Sequence, residues 1–222
     1  MKRVLTLMLS GVLAMAVAAN ANTVIYGWED GGTVLGTYES NITNIANVSS
    51  GVMTGTGTIV TPQSGSGMLT ATEHPHYGTP QLFLAFITGL TDGDIVDAKF
   101  FGFDETESFM PSLRIWGHYA LSGDVTSYMG SAGGDSAYTA GTGWNSVSHS
   151  WTFDSAIGTR DALVIEARLY STPITDEDAS TAFFIDNLTV VAPDRATIFL
   201  PVPEPTTMLL LGFGALALLR KK

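Results

Sequence analysis

Between residues 22 and 200 the apolar residues recur with a period of two, and no segment carries a convincing amphipathic helix face. Successive side chains of an extended chain point to opposite sides, so this period marks strands with one face buried. Leu113, Ile115, Gly117, Tyr119 and Leu121 share one face of such a segment. So do Val147, His149, Trp151 and Phe153, and then Leu163, Ile165, Ala167 and Leu169. Gln81–Ile87 is apolar almost throughout and reads as a central strand buried on both faces. Val24–Trp28, Val52–Val60, Met68–Thr72, Ile95–Phe103 and Phe183–Val191 complete the set. The sequence has 24 glycines, many of them in turn signals such as Thr91-Asp92-Gly93-Asp94 and Ser131-Ala132-Gly133-Gly134-Asp135. About eight to ten short strands with this punctuation predict an all-β domain. The expected form is a two-sheet antiparallel β-sandwich, most simply a jelly roll.

Composition removes several kinds of chemistry. Cysteine is absent, which excludes disulfides, zinc ribbons and a thiol nucleophile. Of ten Lys and Arg residues, five lie at the extreme ends: Lys2, Arg3, Arg220, Lys221 and Lys222. The stretch between them holds Lys99, Arg114, Arg160, Arg168 and Arg195 against 21 Asp and Glu, a formal charge of −16. Such a surface repels phosphate backbones, so no nucleic-acid partner is expected, and it attracts cations. A solvated exterior and a cation-binding one both agree with that charge.

The two ends are of another character. Lys2-Arg3, an apolar run from Val4 to Ala18 and the exit Ala19-Asn20-Ala21 are the three parts of a secretory signal peptide. The apolar run is shorter than the roughly 20 residues that span a bilayer. Residues 1–21 are expected to be removed after Ala21. At the other end come Pro203-Glu204-Pro205, an apolar segment from Thr206 to Leu219 containing Gly212 and Gly214, and Arg220-Lys221-Lys222. As a helix, that apolar segment would be about 21 Å long, short for a bilayer core of about 30 Å. This ordered combination resembles the PEP-CTERM sorting signal of Gram-negative bacteria. The resemblance implies recognition by an exosortase, a membrane protease that cuts at Pro203, Glu204 and Pro205, and transient anchoring at the inner membrane. It also implies export, an envelope or extracellular location, and association with exopolysaccharide or biofilm. The expected organisation is a signal peptide (1–21), a sandwich (22–192), a linker (193–201) and a sorting signal (202–222).

The body carries few motifs. Trp28-Glu29-Asp30-Gly31 lies near its start and Phe184-Ile185-Asp186-Asn187-Leu188 near its finish. In this the body is similar to jelly-roll modules of the galactose-binding-like class, which include many carbohydrate-binding modules. The resemblance implies that Glu29, Asp30 and Asp186 ligate a structural calcium ion, with Asn187 standing where many relatives have Asp. Calcium takes hard oxygen ligands, carboxylates and turn carbonyls among them. Surface carboxylates in turns are the alternative.

Asp104-Glu105-Thr106-Glu107 could in principle serve acid/base glycosidase chemistry, but no opposing carboxylate is evident and an acidic loop is favoured. His74-Pro75-His76-Tyr77 reads as a loop, and His118 and His149 as structural. Tyr128 and Tyr138, in the Gly/Ser-rich stretch 122–143, and Trp144 just after it are the candidate sugar-stacking residues. Trp116 falls on the face opposite Ile115. No Gly-x-Ser-x-Gly elbow, phosphate loop or His-Glu-x-x-His helix occurs, so no catalytic residue is assigned. The expectation is a non-catalytic surface or matrix protein. A calcium-stabilised carbohydrate-binding module is the second reading and a glycan-active enzyme the third.

Overall fold

A computed structural model describes residues 21–39, 41–49, 51–53, 57–104, 112–135, 137, 142–155, 160–170 and 180–201. Within them the chain forms strands and no helix. The first half contributes β1 (Ala21–Tyr26), β2 (Gly36–Tyr38), β3 (Ile42–Val48), β4 (Val52–Met53), β5 (Ile59–Val60), β6 (Met68–Glu73) and β7 (Gln81–Thr88). The second contributes β8 (Ile95–Asp104), β9 (Ser112–Ala120), β10 (Ser131–Gly134), β11 (Gly143–Thr152), β12 (Ala162–Tyr170), β13 (Thr181–Pro193) and β14 (Thr197–Phe199).

The strands make two antiparallel sheets. The first runs β11-β8-β13-β6-β3, with β1 also on β13, and the second runs β10-β9-β12-β7-β14, with β2 also on β7. From β6 onward the chain alternates between sheets, except at the β9–β10 hairpin, which is the crossing pattern of a jelly roll. The expected two-sheet sandwich is therefore the observed fold. The alternation read from the sequence accounts for it: Leu163, Ile165, Ala167 and Leu169 of β12 enter the core together with Leu113, Ile115, Phe183 and Ile185. Each fully buried Leu, Ile or Phe among them stabilises the fold by about 1.5–3 kcal/mol. Phe100 is fully enclosed there, and cutting it to alanine would cost about 3–5 kcal/mol.

Several boundaries differ from expectation. The segment 193–201, read as a linker, belongs to the sandwich. Strand β13 runs to Pro193, and β14 pairs with β7 through Thr197–Thr88, Ile198–Ile87 and Phe199–Phe86. Its sequence is too short to show a period, and only the open edge of β7 makes it a strand. Val52–Val60 is not one strand but two short ones, β4 and β5, paired antiparallel through Val52–Val60 and Met53–Ile59. Within the stretch 122–143, β10 pairs with the edge of β9. At the start, Ala21 already pairs with Pro193, and removing residues 1–21 leaves the pairs from Asn22–Ala192 to Tyr26–Leu188 intact. Residues 1–20, expected from the sequence to belong to a signal peptide, and residues 202–222, including Pro203, Glu204 and Pro205, lie outside the described residues. No helix among the described residues is long and apolar enough to cross a membrane.

Candidate functional site

Two places on the sandwich bring chemically capable side chains together. The first is the pair of motifs at the ends of the body. Glu29 follows Trp28, whose φ of 56° is rare for a bulky residue. Trp28 is held there by full burial and by its indole N–H, which donates to Thr33 O at 2.8 Å. The turn delivers the Glu29 carboxylate into the 64–67 loop. Ser66 N–H donates to it at 2.9 and 3.0 Å, Ser66 Oγ–H at 2.6 Å and Gly67 N–H at 3.2 Å. A β-carbon on Gly65 would sit 2.0 Å from Glu29 Oε1, so only glycine lets the loop close so tightly. These donors, the Ser66 hydroxyl foremost, hold the Glu29 carboxyl below the usual range.

Asp186 lies at a register break in β13 between Asp186 and Thr189, where Asn187 has a φ of 55°. Asparagine tolerates that conformation, and such a break re-aims a side chain. The Asn187 amide also donates to Gln63 Oε1 at 3.0 Å. The Asp186 side chain is fully buried and accepts from Ser64 N–H at 3.0 Å and Asn187 N–H at 2.6 Å. Burial pushes its carboxyl up, those backbone donors pull it back, and the Glu29 charge adds to the rise. Glu29 and Asp186 therefore face one another across Gly27.

Asp30 does not join them. Its carboxylate accepts from the Tyr26 hydroxyl at 2.8 Å and from Gly32 N–H at 3.2 Å. Among the described residues no group of three or more His, Asp or Glu could hold a metal ion. The donor set is thus two carboxylates rather than three, one of them raised chiefly by its burial, with its neighbour's charge adding to the rise. A cation would relieve that repulsion, so the pair fits a hard divalent ion if backbone carbonyls complete the shell.

The second place is the outer face of the second sheet. Directly opposed residues share a face, which sets Trp116, Glu166 and Phe83 in one rung and Arg114, Arg168, Gln81 and Tyr38 in the next. Glu166 is fully buried. It takes a close contact from His118 Nδ1, a hydrogen bond from Arg168 Nε at 3.0 Å and, with the Gln81 amide nitrogen turned inward, two more at 3.2 and 3.1 Å. The Arg168 guanidinium carbon sits over the Trp116 ring, 4.5 Å from its centroid, and the Trp116 indole N–H donates to Ser131 Oγ at 2.9 Å. Tyr38, Gln81, Tyr128 and Arg168 line an open cavity of about 390 Å³ above this network. The two tyrosines are 57% and 65% exposed, too much for core packing. Beneath them His118 is buried against Phe83 and Tyr128, with ring centroids at 5.0 and 5.6 Å. A larger groove of about 680 Å³ crosses the outer face of the first sheet, lined among the described residues by groups such as Asp97, Lys99, Ser148 and Thr189 and by no Tyr, Trp or Phe ring.

Of the three aromatics singled out from sequence, Tyr128 stands on this face. Trp144 does not: it is on β11 of the other sheet, 5.5 Å edge-on from Phe103, with its N–H donating to Thr61 O at 3.0 Å. Tyr138 lies outside the described residues, as do Glu105, Glu107 and the Asp104 side chain. Sequence reasoning missed Tyr38, Gln81, Glu166 and Arg168. The available signal was Glu166 and Arg168 in the outward phase of a strand whose every other position is apolar.

The body is thus a β-sandwich with a polar, aromatic-rimmed sheet face. Residues 201–222 match the PEP-CTERM protein-sorting motif, which marks an exported protein sorted to the cell envelope. Among curated proteins none matches the chain. The chain is similar to the CBM22-1 xylan-binding domain from Paenibacillus barcinonensis Xyn10C, with 14% identity over 79% of this chain and 97% of that one, at a TM-score of 0.47. It is also similar to the carbohydrate-binding module TmCBM27, described for specific mannan recognition, with 14% identity, 78% and 99% coverage and a TM-score of 0.42. The Stig cyclase Fisc from Fischerella sp. TAU is alike at 10% identity, 77% and 85% coverage and a TM-score of 0.45. Each is a likeness of fold alone.

Proposed function

We propose that this protein is an exported, non-catalytic surface or matrix protein that binds polysaccharide through the outer face of its second sheet. The observation that carries this is the cavity between exposed Tyr38 and Tyr128, with Arg168 and Gln81 held at its floor by buried Glu166. Aromatic rings offer apolar faces to sugar rings, and fixed planar polar groups offer paired hydrogen bonds to hydroxyls. The Glu166 contacts fix the Arg168 guanidinium before any ligand arrives, which lowers the entropy cost of binding. An exosortase cuts the tail, the apolar residues 206–219 hold the precursor at the inner membrane until then, and the processed body associates with exopolysaccharide of the biofilm.

Calcium is the proposed structural ion, held by Glu29 and Asp186 with turn carbonyls. Bound there it would supply the positive charge that this carboxylate pair lacks and tie β13 to the 27–32 turn.

A glycan array followed by affinity electrophoresis on residues 22–201 tests the function. Retention of a polysaccharide that is lost in Tyr128→Ala and Arg168→Ala supports it. No retained glycan, with calcium present, overturns it. Polysaccharide turnover by the wild-type body would instead favour an enzyme.

A further inference from the structure

The end of the body bears on how its tail is processed. Pro201 is buried, and its carbonyl oxygen rests against Gly32, where a β-carbon would sit 1.5 Å from it. The same oxygen lies 3.2 Å from the Tyr26 hydroxyl, whose single proton is shared between it and the nearer Asp30 carboxylate at 2.8 Å. Burial first, and then Asp30, holds the Tyr26 hydroxyl well above the usual tyrosine range, so it remains a donor. Just before it, Leu200 and Ile198 pack on the main core and β14 pairs with β7. The chain is therefore fastened to the body up to residue 201.

The Pro-Glu-Pro triplet of the sorting motif begins at Pro203, two residues later. Two residues span at most about 7 Å. A protease cleft takes its substrate as an extended strand on both sides of the scissile bond, and here the upstream side is already a strand of the sandwich. We propose that the Gly32–Tyr26–Pro201 contact is a latch that limits access to the Pro-Glu-Pro motif, so that exosortase processing waits on release of the exit strand. This rests on the reading that an exosortase cuts the tail, and is independent of glycan binding. The cut breaks one backbone amide: the body keeps the acyl half, which passes to water or an acceptor nucleophile, and the tail leaves as an amine. The latch changes neither side of that balance and acts on the rate alone.

The experiment uses the full chain with an exosortase in Gram-negative cells, followed by pulse-chase of precursor and product. Two variants relieve the constraint differently. Gly32→Ala forces the Pro201 carbonyl off its seat. A spacer of about six Gly and Ser residues inserted after Pro201 leaves the latch intact and adds an r.m.s. reach of about 13 Å. Both should shorten the precursor lifetime, by about tenfold if opening the exit strand limits the wild type. The spacer chain should do so with an unchanged melting temperature for the body, which separates access from destabilisation. Equal lifetimes for wild type and spacer chain, or slower processing with the spacer, would overturn the latch. If neither wild type, spacer chain nor Gly32→Ala is cut, and Glu204→Ala behaves as they do, the sorting reading falls and the latch with it.

Discussion

Gly27 lies between the two carboxylates at the ends of the body, and a methyl group there tests what they hold. A β-carbon on Gly27 would be 3.5 Å from Glu29 Oε1 and 3.6 Å from Asp186 Oδ1. Both are ordinary van der Waals distances, and Gly27 has no positive φ, so alanine fits without moving either side chain. At a compatible site, glycine to alanine stabilises by about 0.4–1 kcal/mol through the unfolded chain. For a body of this size that is about 1–4 °C. The methyl nevertheless occupies space that both carboxylates face, and an ion bridging them at about 2.3–2.6 Å from each oxygen competes with it. Calcium at a hundred times its Kd would stabilise the wild-type body by about 2.7 kcal/mol, or about 5–11 °C. Calorimetry of both proteins, in chelator and in excess calcium, reads the two effects separately. Gly27→Ala should melt at or slightly above wild type in chelator and lose the calcium increment. The same increment in both proteins would refute the placement of the ion, and no increment in wild type would remove calcium altogether.

Other consequences follow from named contacts. Tyr128→Ala and Arg168→Ala should weaken retention by any bound polysaccharide at least about tenfold in affinity electrophoresis, a loss of about 1.4 kcal/mol. Trp144→Ala should leave retention unchanged yet lower the melting temperature, because Trp144 packs against Phe103 on the other sheet. His118→Ala leaves buried Glu166 with one partner fewer and should cost about 3 kcal/mol, seen as a fall of about 6–12 °C in melting temperature. Carboxyl NMR titration of Ser66→Ala should show Glu29 moving up toward the ordinary range, since the Ser66 hydroxyl is the main cause of its depression. A depressed carboxyl contributes stability above its ordinary pKa that is lost as pH falls, so Ser66→Ala should soften that acid loss. Asp186 runs the opposite way: its raised carboxyl binds protons in the folded state, so its charge penalises the calcium-free body as pH rises through the window above the ordinary Asp value.

The sandwich was legible in the sequence because its strands bury one face at period two, and Gln81–Ile87 announced a central strand by being apolar on both. What was not legible lacked a pattern of its own. β14 is three residues long and is a strand only because β7 offers an edge. β10 holds two glycines and one alanine in four residues and pairs with β9 for the same reason. At the candidate sites, the motifs at the two ends of the body did bring Glu29 and Asp186 together, but Asp30, adjacent in sequence, turned to Tyr26 because the Trp28 turn sends successive side chains to different places. The network on the outer face of the second sheet was hidden for a different reason. Tyr38, Gln81, Trp116, Glu166 and Arg168 come from β2, β7, β9 and β12, and only strand register places them side by side.

The two chain ends also explain how a body without cysteine closes its sandwich. β1 adds to the first sheet through β13, and β14 adds to the second through β7, so the first and last strands belong to opposite layers. Where β1 ends, Tyr26 reaches across to Pro201 just beyond β14, and Gly32 admits the carbonyl that completes the contact. One hydrogen bond of this kind contributes only about 1 kcal/mol. It joins residues 175 apart in sequence, however, and does so between strands whose neighbouring side chains, Leu200 and Ile198, already lie against the common core. The contact thus ties the end of β1 to the end of β14, and with them both sheets, at one point, as a covalent bridge would, but reversibly. A bond that the protein can open is compatible with a tail that has to be presented and then cut, whereas a disulfide at the same place would have fixed the exit strand permanently.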